Sequence, residues 1–194
     1  WQLRRHDQNV GSKVIMAMKL LTTNSGSGQS TSSFTSSIDS TYKLYIFKFI
    51  SLNPSSNTTL TFQANAAAAS GYNETITSTA FRALQNEAGN DTGLAYQTGE
   101  DQAQGTAFQS LGTELANDAD GGGCGTLWLF NPSNTVYVKH WYSRITNMAD
   151  DGSIDYANDS FRGGYINTTA AIDDIQFKFL SGTFDGTIKM YGVG

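Results

Sequence analysis

The sequence predicts an all-β chain: a single β-sandwich, jelly-roll-like, with at most one or two short helices. Two observations carry that expectation. Charged residues make up only 15% of the 194 residues and hydrophobic ones 39%. Ser, Thr, Asn and Gly fill the gap; they form turns and compete with helices through local side-chain hydrogen bonds. Aromatic and β-branched runs of strand length also recur between polar, turn-forming stretches. A chain of this length fills one sandwich and buries a core without staples.

Taken in order, KVIMAMKLL (Lys13–Leu21) predicts the first strand. The polar stretch Thr22–Thr41, with Phe34 and Ile38 its only large apolar residues, is either a flexible loop or a ragged edge strand. YKLYIFKFISL (Tyr42–Leu52) shows little alternation, which predicts a strong strand covered on both faces. Asn53–Thr59 is a loop by its Pro and Asn, LTFQAN continues as a strand, and AAAASG is small enough for close backbone approach. In the middle third, YNETITSTAFRAL carries a strand into a short helix with Phe81 and Leu84 on one face. AQGTAFQSLGTELAND sets Phe108, Leu111 and Leu115 at helical spacing, weakened by Gly105 and Gly112.

The last third is more regular. Cys124–Ile145, CGTLWLFNPSNTVYVKHWYSRI, predicts a hairpin turning at Pro132 and Ser133, with Asn131 facing Asn134. One face then carries Trp128, Phe130, Tyr137 and Trp141, and the other Leu127, Leu129, Val136, Val138 and His140. A hairpin apolar on both faces needs cover on both, from a second sheet and from another element or subunit. GYINT is a further short strand. In IQFKF, Ile175, Phe177 and Phe179 oppose Gln176 and Lys178; in TIKMY, Ile188 and Met190 oppose Thr187, Lys189 and Tyr191. With SGTFDG as the turn, these predict a half-buried terminal hairpin with one wet face.

Composition also bounds function. A formal net charge of −5 argues against nucleic acid as the partner, because a phosphate-binding face needs clustered Lys and Arg. Residues 1–15 hold Arg4, Arg5 and Lys13 against a single Asp7, so they form either a basic arm that docks on an acidic neighbour or a loose tail. With Met16 or Met18 as a natural start, residues 1–15 are expected to be a leader or arm and residues 16–194 the domain. No apolar run approaches the roughly 18 residues of a membrane span, and KVIMAMKLL is too short, and interrupted by Lys19, for a signal peptide.

Catalytic sets are sparse. The histidines are His6 and His140, Cys124 is the single cysteine, and no GxSxG occurs. In the predicted hairpin Cys124 lies opposite Trp141 and across the sheet from His140. Two histidines and one cysteine cannot close a zinc site. The acidic loops 117–123 and 150–159 carry oxygen ligands of the kind calcium takes, yet without EF-hand spacing, so solvated loops are the default. No carboxylate pattern links Glu74, Glu87, Glu100 and Glu114. The expectation is a non-enzymatic chain with no cofactor. Candidate subunit-contact residues are Trp128, Phe130, Tyr137 and Trp141, with Arg4 and Arg5 if the arm is engaged. The alternative is a lectin-like module, with Trp141, Tyr142, Tyr156 and Tyr165 as candidate glycan-binding residues.

Four stretches taken together, GYNETITSTAFRA (71–83), DQAQGTAFQSL (101–111), LFNPSNTVYVKHWY (129–142) and GYINTTAAIDDIQFKFLSGTFDGTIKMYGVG (164–194), resemble a family of small virion-associated structural proteins of tailed phages, particularly phages of marine bacteria and cyanobacteria. The closing pattern is the most specific part, and the resemblance runs from about Met18 to Gly194. It implies a β-sandwich on the particle surface that decorates the capsid or forms part of the tail. Together with the hairpin apolar on both faces, the expected partners are other copies of the chain, in a homo-oligomer such as a trimer, and other virion proteins. The family offers no catalytic motif to carry over.

Overall fold

Alternating apolar residues lay down strands wherever a buried face awaits them, and here strands take up most of the described residues. The computed structural model describes residues 17–150 and 155–194. Its strands are β1 (Met18–Gln29), β2 (Ser32–Phe34), β3 (Leu44–Pro54), β4 (Thr58–Ala66), β5 (Ile76–Asn86), β6 (Thr92–Tyr96), β7 (Gln109–Leu115), β8 (Gly123–Phe130), β9 (Lys139–Asp150), β10 (Asp155–Ile166), β11 (Ile172–Phe179) and β12 (Phe184–Val193). No helix occurs among the described residues. Arg4 and Arg5 lie outside them.

Strand order defines the architecture. β1-β12-β3-β8 form one sheet and β2-β11-β4-β7 the other, all neighbours antiparallel. The chain passes from one sheet to the other at β1–β2, β2–β3, β3–β4, β4–β5, β6–β7, β7–β8, β10–β11 and β11–β12, which is jelly-roll-like winding. The remaining strands extend the first sheet past β8 in the order β9-β10-β5-β6. One bridge, Leu115 to Ala149, joins the two sheets at one corner. At the other, Asn24 Nδ2 donates to Ser32 Oγ (3.1 Å) and to the Ser33 carbonyl (2.9 Å).

The core lies between the sheets and centres on Phe177 of β11. Its ring contacts Phe34, Phe47, Phe49 and Phe62 at centroid distances of 6.0, 5.2, 5.1 and 6.4 Å. Around it, Leu127, Leu129, Ile175, Ile188 and Met190 are buried, as the alternation predicts. Gly164 of β10 marks a close approach: a Cβ there would stand 2.3 Å from the Thr77 carbonyl oxygen and 2.8 Å from Ser78 Cα. Both are backbone atoms paired into the sheet, so a Gly164→Ala chain is expected to lose about 1–3 kcal/mol in urea unfolding.

Four expectations are corrected. Residues 76–86 and 109–115 are strands, not helix. The spacing of Leu111 and Leu115 is even, so a two-residue period buries both as well as a helical one does. Phe81 and Leu84, at odd spacing, fall on opposite faces of β5. The terminal residues keep their predicted inward faces, but β11 and β12 are not a hairpin. They pair into opposite sheets, and Ile175 and Phe177 look across the core at Ile188 and Met190. Their connection runs beside the β3–β4 connection, where Ser55 N–H donates to the Thr183 carbonyl and Thr183 N–H to Ser55 Oγ. The strand expected over Tyr42–Leu52 is β3, Leu44–Pro54, but its outer face leaves Ile50 exposed.

The fourth correction concerns the β8–β9 hairpin. Its pairing runs from Leu129 opposite Trp141 to Gly123 opposite Asn147, leaving residues 131–138 as a loop. Asn134 stabilises that loop, its Oδ1 accepting from the Val136 and Tyr137 N–H groups at 2.7 and 2.8 Å. Cys124 therefore faces Thr146 and not Trp141, a shift of five residues. An odd shift exchanges the faces of the second strand. Trp141 turns into the core, 2% exposed, with its ring edge-on to Phe62 at 4.9 Å.

Candidate functional site

The extended sheet has an outer face that no other described element covers, and its composition sets it apart. Cross-strand register places Leu20, Tyr191, Ile46, Trp128 and Tyr142 in one row on neighbouring strands. The next outward row runs Lys189, Lys48, Thr126, Arg144, Phe161, Phe81 and Tyr96. Of the exposed large apolar side chains among the described residues, all but Leu180 lie on this face or on the 131–138 loop beside it. Such clustering marks an interaction surface, whereas scattered apolar residues are normal.

The aromatic residues on it are ordered against each other. Trp128 and Tyr142 stack at 4.5 Å, and Phe130 stacks on Tyr142 at 5.7 Å. Phe81 and Phe161 stack at 4.9 Å with planes 6° apart. The Arg144 guanidinium lies over Phe161, 4.9 Å from its centroid. It also grips Asp159 through Nε (3.0 Å) and Nη2 (2.6 Å), a pairing that raises the Arg144 pKa. The face is therefore pre-organised, and ordering it on contact costs little side-chain entropy.

Tyr137 stands beside this ladder. With Phe130, Val136 and His140 it lines a cleft of about 480 Å³. Lys139, wholly buried, holds the loop in place: its Nζ donates to the Tyr137 carbonyl (2.7 Å) and the Thr168 carbonyl (3.1 Å). Burial pushes the Lys139 pKa down from its usual value. A Lys139→Met chain leaves both carbonyls without their donor, and an expected loss of about 1–3 kcal/mol in urea unfolding follows.

The structure thus gathers Trp128, Phe130, Tyr137 and Tyr142 of the sequence-predicted residues, with Tyr165 at their margin against His140 (6.1 Å). It removes Trp141, which the hairpin register commits to the core. Tyr156 is elsewhere, at the far end of β10, where its hydroxyl bonds Asp91 Oδ2 at 3.3 Å. Sequence reasoning missed Phe81, Leu94, Tyr96 and Arg144. The helical expectation for 81–84 hid Phe81, and only strand order brings β5 and β6 alongside β9 and β10.

Other chemistry is dispersed. Cys124 and His140 both point outward, not to opposite faces, but Cys124 lies opposite Thr146, six residues from His140 along β9. That is roughly 20 Å of strand. At the far end of the sheet, burial first, and then the negative charges of Glu87, Asp118, Asp150 and Asp120, raise the Asp155 pKa. Among the described residues no three of His, Cys, Asp or Glu are placed to hold a metal ion. Comparison with known proteins found no matching family, no matching curated protein and no matching solved structure.

Proposed function

We infer that this chain is a non-enzymatic structural component of a phage particle, a capsid decoration or tail protein, which packs against further copies of itself and neighbouring virion proteins. The observation that carries this reading is the outer sheet face, on which, with the 131–138 loop beside it, all the exposed large apolar side chains of the described residues but Leu180 collect. The resemblance of its sequence to virion-associated proteins supplies the setting. Packing, not chemistry, is what such a face does: its aromatic residues bury against a complementary surface while the Ser- and Thr-rich loops stay in water.

A sugar platform needs a free ring face on which a pyranose can lie. Tyr142 is already stacked on Trp128 and on Phe130, which engages its ring within the sheet face. That favours protein packing over the lectin-like alternative. The test is the mass of the full chain by light scattering across a concentration series. Self-association supports the reading. A monodisperse monomer at high concentration, together with saturable glycan binding, would replace it with the alternative.

A further inference from the structure

The interior between β7 and the inner face of β9, β10 and β5 is polar where a sandwich is ordinarily apolar. The inward residues of β10 are Asn158, Ser160 and Arg162; register sets them opposite Asn147, Ile145 and Ser143 of β9. All are buried. Asn147 and Asn158 each donate Nδ2 to the Thr113 carbonyl of β7 at 3.2 Å, which ties this layer to the opposing sheet.

Arg162 is 2% exposed. Its Nη1 donates to the Phe81 carbonyl (2.9 Å) and the Phe161 carbonyl (3.2 Å). Its Nε and Nη2 are buried and partnerless, and these two form the side-on fork with which arginine grips anions. The hydroxyls of Ser143 and Ser160 are also buried without partners. Ser143 sits across the strand pair from Arg162 and Ser160 is the next inward residue along β10. Among the described residues no carboxylate is hydrogen-bonded to Arg162. Glu114 is engaged by Arg82, and Glu100 acts on Arg162 only by coulombic attraction. A guanidinium does not discharge by losing its proton, so a buried one needs a counter-charge or a full set of acceptors.

We propose that this polar layer binds one small monovalent inorganic anion, chloride being the abundant one, between the Arg162 fork and the Ser143 and Ser160 hydroxyls. The Arg162 fork and the two serine hydroxyls offer four unpartnered donors, and a single anion supplies the hydrogen-bonded counter-charge that Arg162 lacks. The carboxylates beside this layer argue for a small monovalent ion. Arg82 and Asn158 of this layer line a cleft of about 230 Å³ together with Asp91, Glu114 and Asp150. Those carboxylates repel a multivalent anion more strongly than a monovalent one. The unpartnered Oδ1 atoms of Asn147 and Asn158, one step further along the strands, likewise oppose a bulky oxyanion.

The test uses the full chain at constant ionic strength, with sodium chloride exchanged stepwise for sodium gluconate, whose anion is too large to enter. The melting temperature is expected to rise with chloride and saturate as for one site. Bromide and nitrate should substitute for chloride, and sulfate should not. Because Arg162→Met risks misfolding, the companion variant is Ser143→Ala with Ser160→Ala, which keeps the guanidinium. Its half-saturating chloride concentration should rise by at least about tenfold, since two donors to a charged partner are lost. A crystal grown in bromide should show its anomalous peak beside Arg162 Nε and Nη2. Three results would overturn the proposal: a melting temperature indifferent to chloride, a chloride dependence unchanged in the double variant, or no bromide peak at Arg162.

Discussion

A Phe130→Lys, Tyr142→Lys chain is expected to run as a monomer at concentrations where the unaltered chain self-associates, with its far-ultraviolet circular dichroism unchanged. Both side chains point outward, 38% and 45% exposed, and neither contributes to the core. The fold loses only the stacking of Tyr142 on Trp128 and Phe130, worth about 0.5–1.5 kcal/mol for each pair. The association loses far more. Central aromatic residues in an interface commonly carry 2 kcal/mol or more each, and the two introduced ammonium groups must also be desolvated. They join a face that already holds Lys48, Lys189 and Arg144. Together these terms weaken self-association by roughly a thousandfold or more. Leu180→Lys is the control: Leu180 is 64% exposed but lies off this face, and its replacement should leave the mass distribution unaltered. Equal effects of the two changes would refute the assignment of the face.

The largest effect on stability is expected at Phe177. Truncating it to Ala removes a ring that contacts four others and links β11 to β2, β3 and β4. The surrounding rings belong to strands pinned in two sheets, so the space closes only in part. A loss of about 3–5 kcal/mol is expected, a large share of the roughly 5–15 kcal/mol by which domains are stable. Urea unfolding followed by tryptophan fluorescence measures it, because Trp141 sits edge-on to Phe62, itself a Phe177 neighbour. Phe177→Leu, which fills most of the space, should cost markedly less. A Phe177→Ala loss below about 1 kcal/mol would mean that the core is organised elsewhere.

Much of the inward-facing set was legible because strand alternation has a period of two and survives changes of partner. Ile175, Phe177, Ile188 and Met190 point inward as the alternation requires, although the hairpin first drawn through them does not exist. Alternation says which face of a strand is buried and nothing about the strand beside it. The polar stretch 22–41 was open between loop and edge strand; its backbone pairs as β1 and β2 because β12 and β11 are there to receive it. The candidate face was half legible. Trp128 and Phe130 were assigned correctly to the outer side of β8, since inner Leu127 and Leu129 fix that strand's phase. Trp141 was misassigned because the turn was taken as two residues long, and an odd error at a turn exchanges the faces of everything after it.

The sequence by itself determined the all-β class, the jelly-roll-like sandwich and most of the strand phases, because composition and alternation are local properties read within a few residues. Only the tertiary structure decided the rest: which sheet β11 and β12 join, the register that buries Trp141 and exposes Tyr142, and the alignment of Trp128, Tyr142, Phe161, Phe81 and Tyr96 on one face. Each of these depends on pairings between residues far apart in the chain. A pairing is chosen by the total burial of both sheets at once, and no single segment carries that sum.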